Sequence, residues 1–525
     1  MKNKFYVIII LSALLFVQKT NSQTVYSDVA PIIYNRCASC HHENQHAPSF
    51  LTYSETVPYA GSMQYKLANG LMPPWSPDTI YTRFLHERLL PENERNAILG
   101  WILSGAQMGD TSGIAPPPTF AEYKLSGTPS TVLQIPTFTS NATATTDAYN
   151  CFSIPMGLTQ DRYLRAFEII PGNNAIVHHV VLSIDTTGML ASDLTGGCFN
   201  QPGDFGIGGY APGSNPTVFP GVAPLKAGVR IKAGSKLIMQ IHYPAGTQGQ
   251  IDSTKIRIYY YPVGAQGIRE VYSSVPLQNW FMFIAANTTA TYTAQYPNSG
   301  GVPVPISIFS TFPHSHKICT SIENWADNGS NTIPLIRINN WDFNWQGYYT
   351  YPHMVKIPTG YTLRSSHFYD NTTNNPENPN PQYVGAGTNS SDEMLFDAFQ
   401  WLLYQQGDEN IDIAALLAND SLFAPTGIAD VSRAEIKLNT YPNPFSDFVK
   451  IGYELNKAAT VSVSVFNVSG TEVKSFGNQQ LSAGQYSVTW DGKNNEGTKL
   501  AAGIYYCTVR AGTTVSTAKM VLMPK

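Results

Sequence analysis

Val177-His178-His179-Val180-Val181-Leu182-Ser183-Ile184 is the stretch that decides the fold class of the longest part of the chain. Apolar and β-branched residues dominate it, as is typical of a buried strand. Comparable segments recur at 236–243, 255–261 and 306–312, with turn residues between them. The region from 125 to 428 is therefore predicted to be β-rich, with a sandwich or jelly-roll architecture. A change near residues 262–264 divides it into 125–270 and 271–428.

Histidines recur in these strands as a pair, a single residue and a pair with one residue between, and a methionine follows. The six candidates are His178, His179, His242, His314, His316 and Met394. Residues i and i+2 of a strand share a face, so His314 and His316 can bind one metal together. His178 and His179 can do so only if the strand twists or ends there, or if their rings use different nitrogens.

Imidazole suits copper, and a thioether favours Cu(I). The pattern therefore predicts two copper ions, each held by three ligands, with His242 and Met394 available to complete the sites. Zinc is the alternative metal, although structural zinc sites more often use several cysteines. The other alternative is a set of scattered core histidines. His353 and His367 are left over, and a structural role is expected for both.

A second redox signature lies upstream, at Cys37-Ala38-Ser39-Cys40-His41. This spacing predicts one covalently bound haem c, with both cysteines as thioethers and His41 as an axial ligand. Met72 is the preferred second axial ligand and Met63 the alternative. A redox CxxC pair is a weaker interpretation, because no βαβ pattern surrounds the motif. His42 and His46 are expected to be exposed polar residues.

The remaining N-terminal features concern targeting and helices. Lys2 and Lys4 precede an apolar stretch, so residues 1–22 are predicted to be a secretory signal peptide, a retained membrane anchor being the alternative. No other segment is long and apolar enough to span a bilayer. Residues 24–110 are predicted to be helical, including 25–36 and 91–103, and short helices are predicted at 394–404 and 411–418.

Composition excludes some functions and constrains others. The 525 residues carry a net charge of −4, 13% charged residues and no long basic run, so nucleic acid is not an expected partner. Of the six cysteines, Cys151 and Cys198 can form a disulfide in an oxidising compartment, although the sequence does not prove the pairing. Cys319 and Cys507 are expected to be small buried core residues.

Three resemblances to known families follow from these motifs. Residues 24–110 resemble the cytochrome c family through the CxxCH motif, Met72-Pro73-Pro74 and a closing helix with Gly100-Trp101. Residues 130–425 resemble the copper type II, ascorbate-dependent monooxygenases, which include the peptide-amidating and dopamine-hydroxylating enzymes. The matching segments are Val177-His178-His179-Val180, Gln240-Ile241-His242-Tyr243, Pro313-His314-Ser315-His316 and Gly387-Thr388-Asn389-Ser390-Ser391-Asp392-Glu393-Met394.

Residues 432–525 read as a small separate β-sandwich of the Ig-like type. They resemble the C-terminal sorting domain of type IX secretion substrates, through Tyr441-Pro442-Asn443-Pro444-Phe445, Gly503-Ile504-Tyr505 and Lys519-Met520-Val521-Leu522. The resemblance implies the secretion machinery as a partner and a secreted or cell-surface location, reached through the periplasm. An ordinary Ig-like adhesion domain is the alternative.

The monooxygenase resemblance implies two stacked jelly-roll domains and a role for each ligand. His178, His179 and His242 would hold an electron-storing copper, and His314, His316 and Met394 the copper where O2 reacts with a substrate C–H bond. The amidating branch grips a substrate carboxylate with an arginine and a tyrosine, at positions that are Phe312 and Ala398 here. This departure argues against a peptide-glycine substrate and favours a neutral or aromatic one.

The combined expectation is a multidomain, mainly β, secreted copper monooxygenase that hydroxylates an organic or peptide-like substrate. Its electrons would come from an external donor, either ascorbate or a redox protein, through the haem. The main alternative is a non-catalytic extracellular haem and copper electron-transfer protein. Carbohydrate binding through exposed Trp and Tyr has only composition in its favour. The sequence leaves open the substrate, the donor, the oligomeric state and cleavage of the C-terminal module.

Overall fold

The computed structural model describes residues 24–43, 45, 47–198, 203–387, 391–423, 437–455, 458–467, 471–511 and 514–524. The predicted signal peptide, residues 1–22, lies outside this part of the chain, as do His46 and residues 388–390. The chain divides into two compact units, Met1–Ala424 and Pro425–Lys525. The fold is mainly β with several sheets, as predicted.

The N-terminal part of the first unit is helical. Its helices are α1 Tyr26–Arg36, α2 Tyr53–Thr56, α3 Ala60–Ala68 and α4 Glu92–Leu103, with a 3-10 helix at Val57–Tyr59. The α1 and α4 helices bury Ile33, Ile98 and Trp101 in a small core of their own. Acidic residues in the first turn of α4 stabilise its N-terminus. The predicted helices at 25–36 and 91–103 are confirmed.

The next region contains two large sheets that share one core, together with a small two-stranded sheet. Its strands are β1 Thr131–Gln134, β2 Phe138–Thr139, β3 Ala148–Pro155, β4 Arg162–Ile170, β5 His179–Asp185, β6 Phe205–Tyr210, β7 Thr217–Val218, β8 Gly221–Val222, β9 Leu225–Ile231, β10 Lys236–Tyr243, β11 Ile251–Asp252, β12 Lys255–Tyr260 and β13 Arg269–Glu270. One sheet follows the order β1-β12-β4-β9-β13, and the other is β3-β10-β5-β6. Phe167 and Ile258 from the first sheet, and Leu182 and Met239 from the second, bury into the same cluster.

A second pair of sheets follows. Its strands are β14 Tyr272–Asn279, β15 Phe283–Ile284, β16 Thr288–Tyr296, β17 Ile306–His314, β18 Cys319–Asp327, β19 Thr332–Ile338, β20 Tyr349–Ile357, β21 Thr362–Asn371, β22 Val384–Gly385 and β23 Leu395–Leu403. The four-stranded sheets are β14-β23-β17-β20 and β16-β21-β18-β19. Leu277, Ile322 and Phe399 share their core. A 3-10 helix at Asp408–Asn410 and helix α5 at Ile413–Ala418 follow, and α5 confirms the helix predicted at 411–418.

The helix predicted at 394–404 is wrong, because these residues form strand β23. Its apolar residues are nearly continuous rather than alternating, which resembles a helical pattern. The reason is that β23 lies between β14 and β17 and is buried along almost its whole length. A strand covered on both faces carries no period-two signal.

The second unit is a small sandwich. Its strands are β24 Lys437–Tyr441, β25 Val449–Leu455, β26 Ala459–Asn467, β27 Glu472–Leu481, β28 Gly484–Trp490, β29 Gly503–Ala511 and β30 Thr514–Leu522. They form a three-stranded sheet, β24-β25-β28, and a four-stranded sheet, β27-β26-β29-β30. Trp490, Cys507 and Val463 lie in a core that belongs to this unit alone.

Candidate metal and haem sites

Three histidines converge at the edge of the β3-β10-β5-β6 sheet. His178 lies immediately before β5, His179 begins that strand, and His242 lies opposite His179 in β10. The Nδ1 atom of His242 is 3.2 Å from that of His178 and 3.3 Å from that of His179, and the latter two are 3.3 Å apart. Because β5 starts at His179, the neighbouring rings are not forced to opposite faces, and all three use the same nitrogen.

These distances fit a metal site. Metal–nitrogen bonds of about 2.0 Å in tetrahedral geometry place ligand atoms about 3.3 Å apart. Burial and the neighbouring His242 and His178 hold the pKa of His179 well below its ordinary value, which keeps the ring neutral. Neutral imidazole is the form that binds metal. The donor set therefore fits copper or zinc.

Asp147, which the sequence did not single out, orients His242. Its Oδ2 accepts a hydrogen bond from His242 Nε2 at 3.0 Å, so the Nδ1 lone pair of His242 points into the cluster. This hydrogen bond is the main reason why the pKa of Asp147 falls to about 2. Tyr149 stacks on the His242 ring at 4.3 Å between centroids. Carboxylate partners of this kind fix the tautomer of a ligating histidine.

The second ligand set lies where β17 ends and β23 begins. His314 is the last residue of β17, and His316 lies beyond that strand, so the expectation that both share one strand face is wrong. Their rings meet nearly at right angles, with centroids 5.3 Å apart. Met394 immediately precedes β23 and is 8% exposed.

Both histidines of this set are held through Nδ1. His316 Nδ1 donates to the backbone carbonyl of Asp392 at 3.0 Å, and His314 Nδ1 donates to Gln346 Oε1. The Nε2 atoms are thereby left as the candidate donors. Burial and the neighbouring His316 lower the pKa of His314 to about 3, so this ring is also neutral.

Glu393 is the supporting residue that the sequence did not identify. Its buried carboxylate accepts from the backbone N–H groups of His316 at 2.9 Å and Ile318 at 2.8 Å, and from Ser315 Oγ at 3.0 Å. Burial raises its pKa to about 7. Tyr369 donates its hydroxyl to the Met394 carbonyl at 2.9 Å. These bonds connect the His-x-His turn to the start of β23, and the only sequence signal was an acid next to the methionine.

One cleft contains residues of both ligand sets. It has a volume of about 550 Å³ and is lined by His179 from the first set and by His314, His316 and Met394 from the second. Phe312 and Ala398, where the amidating branch has its carboxylate-gripping residues, also line it. Side chains from both candidate ligand sets thus face a common space.

The haem-attachment motif follows α1. Cys37 and Cys40 carry free, half-buried thiols, and burial raises the pKa of Cys37 to about 12. His41 Nδ1 donates to the Pro48 carbonyl at 2.9 Å, and its ring stacks on Phe50 at 4.1 Å. This bond leaves Nε2 as the donor for an axial position, so the residues fit a covalent haem.

The candidate axial methionines differ in burial. Met63 lies inside the helical core and is 8% exposed, whereas Met72 packs at the edge of that core. Met72 is the more accessible of the two. His42 is half-buried and stacks on Phe120 at 4.0 Å, so the expectation that it is an exposed polar residue is wrong.

The helical part contacts both β regions. Cys40 Sγ lies against Gly213, where an added Cβ would be only 2.1 Å away. Asp78 forms an ion pair with Arg337 at 2.7 Å, and Phe84 is 5% exposed within the second β core. Leu85 donates its backbone N–H to Thr350 at 2.8 Å. Part of the segment that the sequence assigns to the haem domain thus packs as an element of the second sandwich.

The other singled-out residues have structural contacts. His367 Nε2 is 3.1 Å from Asp397 Oδ2 in a fully buried network with Tyr369, and His353 Nδ1 is 3.0 Å from the Ile411 carbonyl. Cys151 and Cys198 form a disulfide. Cys319 and Cys507 are free and buried.

The fold defines a multi-sheet, mainly β protein that ends in an Ig-like domain. Residues 446–514 match the FlgD Ig-like domain family. No match was found among the curated proteins. No helix in the described ranges is long and apolar enough to cross a membrane.

Similar solved structures were found. PorZ, an essential bacterial surface component of the type-IX secretion system of Porphyromonas gingivalis, is 19% identical over 19% of this chain and 13% of its own, with a TM-score of 0.14. Dimeric latent PorU from the same organism is 11% identical over 71% and 34% (TM-score 0.15). Bacteroides uniformis β-glucuronidase 2 is 13% identical over 45% and 26% (TM-score 0.12). The chain therefore spans about a third or less of the length of each.

Proposed function

We propose that the protein is an exported copper monooxygenase that hydroxylates a C–H bond of an organic substrate and receives electrons through its own haem c. The observation that carries this proposal is that His179 and the set of His314, His316 and Met394 line one cleft. A substrate in this cleft lies next to both ligand sets. The two β regions are then jelly rolls, and residues 24–110 contribute a cytochrome c domain.

Two copper ions, one at each ligand set, would supply the redox chemistry that inserts one oxygen atom of O2 into the substrate and reduces the other to water, with two electrons and two protons. The chain's part is to hold and orient the donors. The first set offers three Nδ1 atoms at 3.2–3.3 Å, with Asp147 fixing His242. The second set offers two imidazoles and a thioether, a softer set that favours Cu(I).

The residues around the second set preorganise it. Glu393 ties the backbone of His316 to the start of β23, and Tyr369 and Ser315 both donate to the Met394 carbonyl. His314, His316 and Met394 would hold a copper ion with three protein ligands, which would leave that ion able to react with O2. Locking the rotamers of the ligands before substrate binds reduces the reorganisation needed during reaction.

A haem attached to Cys37 and Cys40 would supply electrons one at a time from an external donor, either ascorbate or a redox protein. His41 would be one axial ligand and Met72 the other. Cys40 Sγ contacts Gly213, three residues after β6, and β6 pairs with β5, which begins at His179. This continuous path through the protein supports electron delivery to the first copper site.

Export is proposed from the sequence. Residues 1–22 have the pattern of a signal peptide, and residues 432–525 resemble a type IX sorting domain. The Cys151–Cys198 disulfide agrees with an oxidising compartment outside the cytoplasm. The protein would then act in the secreted or surface-bound state.

The proposal is tested by loading the full-length protein with copper and measuring metal content, haem content and O2 consumption. We expect two copper ions and one haem per chain, and O2 consumption that depends on a hydroxylatable substrate. His314→Ala should abolish that consumption and leave one copper, whereas His353→Ala, remote from the cleft, should change neither. Reoxidation of the reduced haem by O2 should be slowed by His314→Ala.

Other outcomes separate the alternatives. Two bound coppers with haem oxidation but no substrate-dependent O2 consumption would favour the non-catalytic electron-transfer protein. Haem iron without stoichiometric copper would rule out the monooxygenase. Zinc bound in preference to copper under reducing conditions would do the same.

A further inference from the structure

The cleft that the two ligand sets share is lined by several aromatic rings. Aromatic rings surround the second set: the Phe312 centroid is 6.0 Å from the His314 ring, that of Phe396 is 6.1 Å from the same ring, and that of Phe343 is 5.7 Å from the His316 ring. Tyr348 lies 4.9 Å from Phe312. Trp280 is 40% exposed and also lines the cleft.

Aromatic contacts also connect the two sides of the cleft. Tyr348 belongs to the second β region, yet its hydroxyl lies against Gly206 of β6 in the first, where an added Cβ would be 3.1 Å away. Burial raises the pKa of Tyr348 to about 12, so the phenol is neutral at physiological pH. A ring entering the cleft therefore meets aromatic edges and faces next to His314.

Charge is nearly absent from the same walls. Among the described residues that line the cleft there is no Lys, Arg or Glu, and the one carboxylate, Asp204, accepts from the Thr186 backbone N–H at 2.7 Å. Residues 199–202 and 388–390 lie outside the described part of the chain, and their sequence includes no ionisable side chain. A charged ligand would therefore meet either no side chain of opposite charge or one that is already hydrogen-bonded.

We propose that this cleft selects an uncharged aromatic substrate and rejects both carboxylates and amines. An anion transferred from water into the cleft would lose its hydration without gaining a cationic side chain. An ammonium group would find aromatic faces but no free carboxylate, because Asp204 is already hydrogen-bonded. A ring, in contrast, gains edge-to-face contacts and buries apolar area. The volume of about 550 Å³ lies in the range of sites for compounds of one or two rings.

This inference deepens the proposed function and rests on it, because a compound that binds in the cleft is a substrate only if the protein is a monooxygenase. Its test is a binding measurement that does not need turnover. Full-length protein, kept anaerobic, is titrated calorimetrically with three probes of equal shape: 3-phenylpropanamide, 3-phenylpropanoate and 3-phenylpropylamine. We expect the neutral amide to bind about tenfold or more tightly than either charged probe. Equal affinity for the three, or tighter binding of a charged probe, would overturn the inference.

Variants at Phe312 test whether the probe binds in this cleft. Phe312→Ala should weaken amide binding about tenfold, while Phe368→Ala, an exposed phenylalanine outside the cleft, should leave it unchanged. Phe312→Arg should reverse the preference, so that the carboxylate binds more tightly than the amide. If Phe312→Arg folds, as checked by thermal unfolding, but the preference does not change, the cleft is not the site and the inference fails.

The two proposals can fail separately. Selective amide binding without substrate-dependent O2 consumption would contradict the proposed monooxygenase function and leave the proposed selectivity standing. Turnover of a carboxylate or amine, with copper at both sites, would contradict the proposed selectivity and leave the monooxygenase function standing.

Discussion

At the scale of single residues, the candidate ligands can be picked out from the sequence, but the groups that orient them cannot. His242 is a strand residue in Gln240-Ile241-His242-Tyr243, and the sequence makes it available to complete a metal site. Asp147 is 95 residues earlier in the chain and orients it. No periodicity predicts this pairing, because it depends on β3 and β10 being neighbours in the sheet.

The Asp147–His242 contact gives a first prediction. Asp147→Asn replaces the carboxylate that accepts from His242 Nε2 with a weaker, neutral acceptor. We expect copper affinity at the first set to fall about 10–100-fold, since partners of ligating histidines have effects of this size. Competition titrations against a copper chelator would measure it. Asp161→Asn, which alters a surface ion pair with Arg230, is the matched control, and equal affinities in the two variants would contradict the prediction.

Glu393 gives a second prediction. Glu393→Gln keeps the shape but turns one carboxylate oxygen into a donor, which then faces the N–H of either His316 or Ile318, because these two groups bond to different oxygens. We expect the free energy of unfolding to fall by about 2 kcal/mol, because one buried N–H group loses its acceptor. Copper at the second set should be lost before copper at the first. Denaturant unfolding and copper stoichiometry measure both effects.

The control for that variant is Glu409→Gln, an exposed residue of the 3-10 helix Asp408–Asn410, where little change is expected. If Glu393→Gln retained both copper ions and full stability, Glu393 would not be what fixes the His-x-His turn.

At the scale of elements, the strand predictions succeeded where the segment contains β-branched residues and turn residues follow it. The segments at 236–243 and 306–312 fall in β10 and β17 as expected, although both strands are buried along almost their whole length. Strand β23 was missed because it contains no β-branched residue, and its apolar run cannot be distinguished locally from a buried helix. The start of β5 at His179 was left open by the sequence, and that boundary is what lets adjacent histidines converge.

The Cys151–Cys198 disulfide gives a prediction about the stability of the strands around His242. Cys151 lies opposite Gln240 in the β3–β10 pair, and Gln240 donates to the Cys198 carbonyl at 2.6 Å, two residues before His242. Replacing both cysteines by serine should lower the free energy of unfolding by about 4 kcal/mol, since the bridge closes a loop with a sequence separation of 47. Denaturant titration would measure it.

The control for the disulfide is Cys507→Ala, a free cysteine in the C-terminal unit. Its effect should be confined to that unit's own unfolding transition. A serine double variant as stable as the parent protein would show that the bridge adds nothing to the strand that carries His242.

At the scale of the whole molecule, the sequence separated the chain into independent modules more sharply than the structure does. Phe84 and Asp78 come from the region with the haem motif but pack on the second β region. Composition and hydrophobic pattern describe each segment alone, so they do not reveal that a loop from one module completes the core of another.

Gly213 gives the prediction at this scale. Its φ of +77° and its contact with Cys40 Sγ both require glycine. Gly264 has a φ of +78° and no neighbour within 4 Å, which makes it a matched control. Alanine at either position should cost about 1 kcal/mol of stability for the left-handed backbone, and Gly213→Ala should cost more because its Cβ would lie 2.1 Å from Cys40 Sγ. Only Gly213→Ala should also slow electron transfer from reduced haem to copper in stopped-flow measurements.

Equal electron-transfer rates in the two alanine variants would show that the contact between Cys40 and Gly213 is not part of the electron path. Equal slowing in both would point to a general loss of stability instead.

The contact at Gly213 also bears on how the proposed haem would be attached. In the folded chain Gly213 lies against one side of the half-buried Cys40 Sγ, so a porphyrin vinyl group would reach that thiol more easily before the first β region has folded. The proposed haem would then be joined early, while the N-terminal segment is still open. We expect haem added to the already folded chain to form the Cys40 thioether more slowly than haem supplied during folding.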